Sequence, residues 1–217
     1  MDVLIVNDAS EDETIAIVPG LGVLWLDLPV HLGVGGAVRA GLRYAHESGY
    51  DLVVRIDADG QHRPQDVDRL AAPVLAGDAD VAVGTRHVRG FSGPGRLKRF
   101  FQWLLGTWLG VLSGHRITDP TSGFWVFGRE AIAFLAEHHP SGYPEPELML
   151  LLGRERIRLT EVAVEMRHRV AGESSLTYPK IGMALACTLV ASVVVPLRAR
   201  QRVTILAEAP ALSSPRA

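Results

Sequence analysis

The chain has 217 residues, of which 47% are hydrophobic and 21% charged, a balance that excludes wholesale disorder and predicts one domain with a sizeable core. Its net charge of −2 excludes a generally basic coat, so we expect no nucleic-acid partner. Cys187 is the single cysteine, which excludes an internal disulfide and a cysteine-based zinc cluster.

Strand-like and helix-like stretches alternate along the chain. Short apolar runs predict strands at residues 3–6, 23–26, 52–56 and 81–83. Apolar residues at helical spacing predict helices over 37–48, 64–76 and 96–112. Strands that alternate with helices indicate an α/β fold with a mostly parallel sheet.

Charged side chains follow several of these strands. Asp8, Asp57, Asp59 and Arg86 come directly after predicted strands. In parallel α/β sheets the ligand crevice lies beyond the carboxyl ends of the strands, so several such residues at successive strand ends indicate a binding site. A single Asp in such a place is usually a turn residue.

The charges are unevenly distributed. Acidic residues are concentrated in residues 1–80 and basic residues in residues 81–217. This asymmetry suits a site that binds a metal on one side and phosphates on the other, but two differently solvated faces would give the same pattern.

Two apolar stretches raise the question of membrane contact. Residues 96–112 combine a basic start with Trp103 and Trp108, a composition typical of a membrane-interface helix and also of a core helix with a basic first turn. Residues 181–197 carry no charge, but as a helix they would extend only about 25 Å, short of the roughly 30 Å hydrocarbon core. This stretch could be a re-entrant, an interfacial or a buried packing helix.

Asp57-Ala58-Asp59 places two carboxylates at a strand end, where they could bind a divalent cation and a ribose. Together with five further segments it resembles, in the same order, the motifs of family 2 inverting glycosyltransferases. The six segments are residues 6–14, 31–37, 57–64, 84–86, 119–124 and 169–175. The pattern is most similar to the dolichol-phosphate mannose synthase-like group, which moves a sugar from a nucleotide to a polyprenyl phosphate.

This resemblance implies a Rossmann-like GT-A fold and a role for each motif residue. The nucleotide sugar, a GDP- or UDP-hexose, would contact Val6, Asp8, Gly33, Asp57, Ala58, Asp59, Arg86 and Arg169. The metal, Mg²⁺ or Mn²⁺, would bind Asp59 and Gln61 and stabilise the departing diphosphate. The acceptor or its phosphate would contact Arg86, Asp119, Arg169 and Ser175.

The resemblance also implies that Asp57, Asp59 and Asp119 are catalytic. Asp119 would be the general base for a hydroxyl acceptor, whereas a phosphate acceptor needs none. Residues 143–147 resemble a segment beside the acceptor, although Glu145 and Glu147 are more typical of an acidic loop that caps the next helix.

Several features depart from the family pattern. Asn7 replaces an Asp, His31 an Asn and Ser175 a Lys. The sequence starts at what the resemblance makes the second strand, so we expect a GT-A fold without its first strand, with two open sheet edges. We expect a glycosyltransferase domain over 1–178, an apolar helix over 179–203 that is a candidate for membrane association, and a disordered tail over 204–217.

The expected function is transfer of a sugar, with inversion, from a nucleotide sugar to a polyprenyl phosphate or other lipid acceptor. The expected location is the cytoplasmic face of the membrane, with the chain bound peripherally or anchored at its C-terminus. Two alternatives stay open: transfer to a soluble hydroxyl acceptor, and a truncated, non-catalytic nucleotide-binding remnant.

Overall fold

The computed structural model describes residues 1–85, 96–141, 144–165 and 167. Its strands are β1 (Leu4–Asn7), β2 (Leu24–Asp27), β3 (Leu52–Arg55), β4 (Val81–Thr85), β5 (Trp125–Gly128) and β6 (Leu159–Ala163). Its α-helices are α1 (Thr14–Ile17), α2 (Gly33–Glu47), α3 (Val67–Leu75), α4 (Arg96–Ser113), α5 (Arg129–His138) and α6 (Pro144–Glu155). Single 3₁₀ turns span Val18–Leu21 and Pro64–Asp66.

The described strands form two sheets. β1 and β2 make a parallel pair, with Leu4 opposite Leu24. The other sheet has the order β3-β5-β4-β6, in which β5 is antiparallel to both neighbours while β4 and β6 are parallel. β3, β4 and β6 therefore run in one direction, and the expected mostly parallel α/β fold is confirmed, with β5 as a reversed strand that the sequence analysis did not anticipate.

Helix α2 links the two sheets. It packs against both β1 and β3. In the described part of the chain, β1 pairs with β2 alone and β3 with β5 alone, so each is an edge strand of its own sheet. The backbone of β1 and that of β3 thus have one unpaired side each among the described strands.

The hydrophobic core lies on the two faces of β5. Trp125 and Phe127 stack with ring centroids 6.0 Å apart and belong to a cluster with residues of α2, α4, α5 and α6. Phe124 and Val126 belong to a second cluster with residues of α3. Because successive side chains of a strand point to opposite faces, this one strand anchors both layers of helices.

Some element boundaries differ from the sequence predictions. α2 begins at Gly33 rather than at residue 37, so that three glycines lie in its first turn. Two of them are needed for packing, because a Cβ on Gly35 would overlap Pro140 and one on Gly36 would overlap Leu32. The helix predicted over 64–76 is a 3₁₀ turn followed by α3.

The stretch 181–197 and the predicted domain boundaries lie outside the described residues. In the part of the chain that is described, no helix combines the length and the apolar character needed to cross a bilayer.

Candidate active site

The reversed strand β5 brings two motif segments together. Trp125, near its N-terminal end, pairs with Arg55 of β3 and Val83 of β4, near the carboxyl ends of those strands. Residues 119–124 therefore lie beside residues 57–62. The approach is so close that a Cβ on Gly123 would overlap the Asp57 carboxylate, with its Cγ at 2.8 Å.

The Asp57 carboxylate is held from several sides. Arg55 Nη2 donates to Oδ1 at 3.2 Å, and Nε2 of the buried His62 lies 3.9 Å from Oδ2. Partial burial opposes ionisation of Asp57, but the attraction of His62 and Arg55 outweighs it and holds the pKa below its ordinary value of 3.8. His62 is fixed in turn by the ring of Phe124, with ring centroids 4.9 Å apart. Asp57 is therefore an oriented, ionised carboxylate.

The loop after Asp57 carries the predicted metal ligands. Asp59 Oδ1 accepts a hydrogen bond of 3.0 Å from the backbone N–H of Gln61 across the tight turn at Gly60, whose φ is 75°. No group of three or more His, Cys, Asp or Glu side chains in the described residues is arranged as a complete metal site. The carboxylate and amide oxygens fit Mg²⁺ or Mn²⁺, since Mg²⁺ takes few protein ligands and completes its shell with phosphate oxygens and water.

The chain after β6 runs along this loop. Arg63 forms an ion pair with Glu165, whose N–H donates to Asp66 Oδ2 at 3.1 Å. The N–H of Arg167 donates to Gln61 O at 2.9 Å. The chain therefore contacts the loop that carries the predicted metal ligands, as far as Arg167.

Asp119 is completely buried, with 0% of its surface exposed. Its Oδ1 accepts a hydrogen bond from Thr121 Oγ1 at 3.2 Å, and its N–H donates to Glu161 Oε1 at 3.2 Å. Glu161 also accepts from the N–H and the hydroxyl of Thr118, at 2.6 and 2.8 Å. Glu161 of β6 thus fixes the loop that carries Asp119, a role that the sequence analysis missed.

Asp8, after β1, is also engaged within the chain. Its Oδ1 accepts from the N–H of Leu32 at 2.7 Å, and its Oδ2 lies 2.9 Å from His31 Nδ1. These bonds fix the entry to α2 at Gly33, whose φ is 74°. Val6 is half-buried, with its side chain next to the position of Gly41 in α2.

A buried arginine connects the site to α6. The side chain of Arg55 is only 8% exposed, and its Nη2 donates to Glu145 Oε1 at 3.0 Å as well as to Asp57. Glu145 lies in the first turn of α6. Arg55 could have been singled out from the sequence, because it is an arginine in an otherwise apolar predicted strand. The sequence analysis did not use this observation.

Arg86, Arg169 and Ser175 lie outside the described residues, and their roles stay predictions. The roles of Val6, Asp8, Gly33, Asp57 and Ala58 at the nucleotide also stay predictions, as do the catalytic and metal-binding roles of Asp57, Asp59, Gln61 and Asp119.

Comparison with known proteins adds to this geometry. The family model for glycosyl transferase family 2 matches residues 1–134. The undecaprenyl-phosphate mannosyltransferase of Micrococcus luteus is 30% identical over 200 residues, 85% of this chain and 79% of that protein. A UDP-N-acetylglucosamine–dolichyl-phosphate N-acetylglucosaminyltransferase of Methanococcus voltae is 27% identical over 185 residues, 76% of this chain and 74% of that protein.

Two solved structures show the fold. Mannosyl-3-phosphoglycerate synthase from Rubrobacter xylanophilus superposes with a TM-score of 0.66 at 21% identity, covering 98% of this chain and 68% of that one. Glucosyl-3-phosphoglycerate synthase from Mycobacterium tuberculosis, in complex with Mn²⁺, uridine diphosphate and glucosyl-3-phosphoglycerate, gives a TM-score of 0.64 at 19% identity and covers 89% and 68%. The expected GT-A fold is confirmed.

Proposed function

This chain belongs to glycosyl transferase family 2, and on that basis we propose that it transfers a hexose from a nucleotide sugar to a polyprenyl phosphate, with inversion at the anomeric carbon. The observation that carries the proposal is the contact of Gly123 with the oriented carboxylate of Asp57, which joins two motif segments at one edge of the sheet. The named relatives that act on undecaprenyl and dolichyl phosphate support the acceptor class.

The donor is a GDP- or UDP-activated hexose. The relative from Micrococcus luteus is named as a mannosyltransferase, whereas the solved structure of similar fold contains uridine diphosphate. The test below therefore includes donors with guanine and donors with uracil as the base. Asp57 and the predicted contacts Val6 and Asp8 bind the nucleoside portion, and the arginines Arg86 and Arg169 neutralise its phosphates.

A divalent cation, Mg²⁺ or Mn²⁺, completes the donor site. The Asp59 carboxylate and the Gln61 amide are the residues that would hold it. When bound, the cation stabilises the negative charge that accumulates on the departing nucleoside diphosphate. The Mn²⁺ in the solved structure of similar fold supports a divalent cation as the cofactor.

The burial of Asp119 favours a phosphate as the nucleophile. A carboxylate with 0% exposure has no surface open to an acceptor hydroxyl in this conformation. A phosphate oxygen is already anionic and needs no base to attack. It forms the new bond to the anomeric carbon as the bond to the nucleoside diphosphate breaks, and attack from the opposite side gives inversion.

Asp59→Ala tests the proposal directly. We expect this variant to lose at least about a hundredfold in transfer, because the charge on the leaving group is no longer neutralised. The assay follows lipid-linked sugar formed from GDP-mannose, UDP-glucose or UDP-N-acetylglucosamine with undecaprenyl phosphate and Mn²⁺. Asp68→Ala, an exposed position on α3, is the control and should keep its activity.

Other results would contradict particular parts of the proposal. Full activity of Asp59→Ala would exclude the metal assignment. Transfer to soluble alcohols but not to undecaprenyl phosphate would favour a hydroxyl acceptor. Nucleotide binding by the wild type without any turnover would favour a non-catalytic remnant.

We also propose that α4 lies on the membrane surface. Trp103 is 62% exposed and Trp108 45%, and Leu104, Val111 and Leu112 are exposed beside them. Leu105 and Leu109 on the opposite side are buried in the core. Exposed tryptophans on a helix with a basic start suit the interface of an anionic bilayer, which for a polyprenyl-phosphate enzyme using cytosolic nucleotide sugars is the cytoplasmic face.

Vesicle binding tests this surface. We expect Trp103→Ser/Trp108→Ser to bind phosphatidylcholine–phosphatidylglycerol vesicles about tenfold more weakly, because two interfacial anchors are lost. Co-sedimentation measures the effect. Trp25→Ser is the matched control, since Trp25 is 39% exposed but lies on β2. Unchanged binding of the double variant would exclude α4 as the membrane contact.

A further inference from the structure

We propose that Arg55 is a positioning residue that couples Asp57, on the donor side of the site, to Glu145, on the acceptor side. The inference rests on the proposed function, because the two sides are those of a glycosyl transfer. Neither relative nor motif assigns a role to Arg55.

The coupling has a defined geometry. Arg55 is the last residue of β3, and its Nη2 lies 3.2 Å from Asp57 Oδ1 and 3.0 Å from Glu145 Oε1. One nitrogen therefore joins two carboxylates that are far apart in the sequence. Asp57 begins the metal-binding segment, and Glu145 lies in the segment that resembles the acceptor region.

Arg55 is more deeply buried than the two carboxylates, so it depends on these bonds more than they do. Arg55 is 8% exposed, whereas Glu145 is 20% and Asp57 42% exposed. A buried guanidinium needs carboxylate partners, since its desolvation is otherwise uncompensated. The two carboxylates can reach water. Loss of Arg55 would therefore release them rather than strand a buried charge, and the fold would survive.

Loss of Arg55 would change the position of the groups that bind the substrates. Asp57 Oδ2 faces His62, and its carboxylate rests on Gly123, while Oδ1 is held by Arg55. Without Arg55 the carboxylate can rotate about its side-chain torsion, and α6 loses its tie to β3. Misplacement of a group that binds substrate is costly even when every ligand is still present.

Nucleotide binding gives a readout that does not require turnover. Binding of GDP and UDP in the presence of Mn²⁺ is measured by calorimetry on the full chain for the wild type, Arg55→Gln, Glu145→Gln and the double variant. We expect Arg55→Gln to weaken binding about tenfold and Glu145→Gln several-fold. The double variant should bind no more weakly than Arg55→Gln alone, because both substitutions remove the same ion pair between Arg55 and Glu145.

Two further variants separate positioning from stability. Arg129→Gln breaks an exposed ion pair with Asp51 at the other end of the β3–β5 pair and should leave binding unchanged. Arg55→Lys keeps the charge without the planar fork, and we expect it to fold like the wild type and to bind the nucleotide at an intermediate level. In steady state, Arg55→Gln should raise KM for both donor and acceptor.

Several outcomes would overturn the inference. Wild-type binding in Arg55→Gln and Arg55→Lys would exclude the coupling, as would strictly additive losses in the double variant. If Arg55→Gln has a lower melting temperature but its folded fraction keeps the wild-type nucleotide affinity and KM, Arg55 has a structural role only. If the wild type itself binds neither nucleotide, the proposed function fails, and the inference fails with it.

Discussion

The carboxylate of Asp57 rests on Gly123, where there is no room for a methyl group. The obstructing atoms belong to the end of a side chain rather than to the backbone. A Cβ at this position would therefore be accommodated by rotation of the carboxylate, at little cost to the fold and at a large cost to the geometry of the site.

Gly123→Ala should separate activity from stability. We expect transfer to fall at least about tenfold, because Asp57 is displaced, while the melting temperature changes little. Activity assays and thermal unfolding of the same preparation measure both effects. Gly20→Ala is the control, since no atom lies within 4 Å of a Cβ there. An active Gly123→Ala enzyme would show that the orientation of Asp57 is not critical.

Neighbouring side chains account for two departures from the family motifs. Asn7 Nδ2 donates to Asp27 Oδ1 at 2.7 Å. A carboxylate at position 7 has no hydrogen to donate and would place a second negative charge beside Asp27. His31 contacts the carboxylate of Asp8 and helps to fix the entry to α2. The third departure, Ser175, lies outside the described residues.

The sequence analysis placed the D-x-D carboxylates correctly at a strand end because the apolar run before Asp57 is a local signal. It named Glu145 beside the acceptor but did not find its bond to Arg55, and it did not find Arg55 or Glu161 at all. Their bonds join residues that are distant in the sequence, and no local pattern specifies which carboxylate an arginine will meet.

At the scale of elements, glycine determines how closely α4 and α6 approach each other. A Cβ on Gly153 of α6 would overlap backbone atoms of Ser113 at the end of α4, with Cα at 2.6 Å. A Cβ on Gly106 of α4 would likewise lie only 2.7 Å from the carbonyl oxygen of Ile117, in the chain that follows α4. The returning chain that carries Asp119 can therefore lie directly on α4.

Gly153→Ala should destabilise the fold. Here the obstruction is backbone, which cannot rotate away, so we expect a loss of about 1–3 kcal/mol in the free energy of unfolding. Urea unfolding measures it. Gly41→Ala is the matched helical control, because its Cβ would meet Val6 Cγ2 at an ordinary 3.4 Å. That control should be neutral or gain up to about 1 kcal/mol from helix propensity. Equal stability of the two variants would contradict the close packing of α4 and α6.

Apart from α1, which the sequence analysis did not predict, the order of strands and helices from β1 to α4 follows from apolar periodicity and from turn residues, which are local. The position of β5 does not. Its four residues pair with β3 and β4 through contacts that span the middle of the chain, and they run against the direction of both neighbours. Periodicity identifies an apolar run but carries no information about its pairing partner or its direction.

At the scale of the whole molecule, a buried histidine makes stability depend on pH. His139 is 2% exposed, and burial, reinforced by the charge of Arg55, lowers its pKa to about 4 from 6.5. Between these values the unfolded chain binds a proton that the folded chain does not. The stabilisation is therefore complete above pH 6.5 and is lost as the pH falls towards 4.

We expect the free energy of unfolding to fall by about 2 kcal/mol between pH 7 and pH 5 through His139. Urea unfolding at the two pH values measures the change for the wild type and for His139→Gln, which should lack this component. His46→Gln is the control, since His46 is exposed on α2. An identical pH dependence in the wild type and His139→Gln would exclude the buried neutral imidazole as the cause.

The division of the strands into two sheets has a consequence for local opening. β1 and β2 form a two-stranded unit, which is held in place by the contacts of β1 with α2. Leu24 and Trp25 of β2 are exposed. A pair of strands is marginal by itself, whereas β4 and β5 lie inside the core. The β1–β2 unit should therefore be a separate foldon whose amides exchange with solvent long before those of β4 and β5. If Asp8, which follows β1, contacts the nucleotide as we propose, a bound nucleotide would hold this foldon closed, and the affinity for the donor would include the free energy of ordering it.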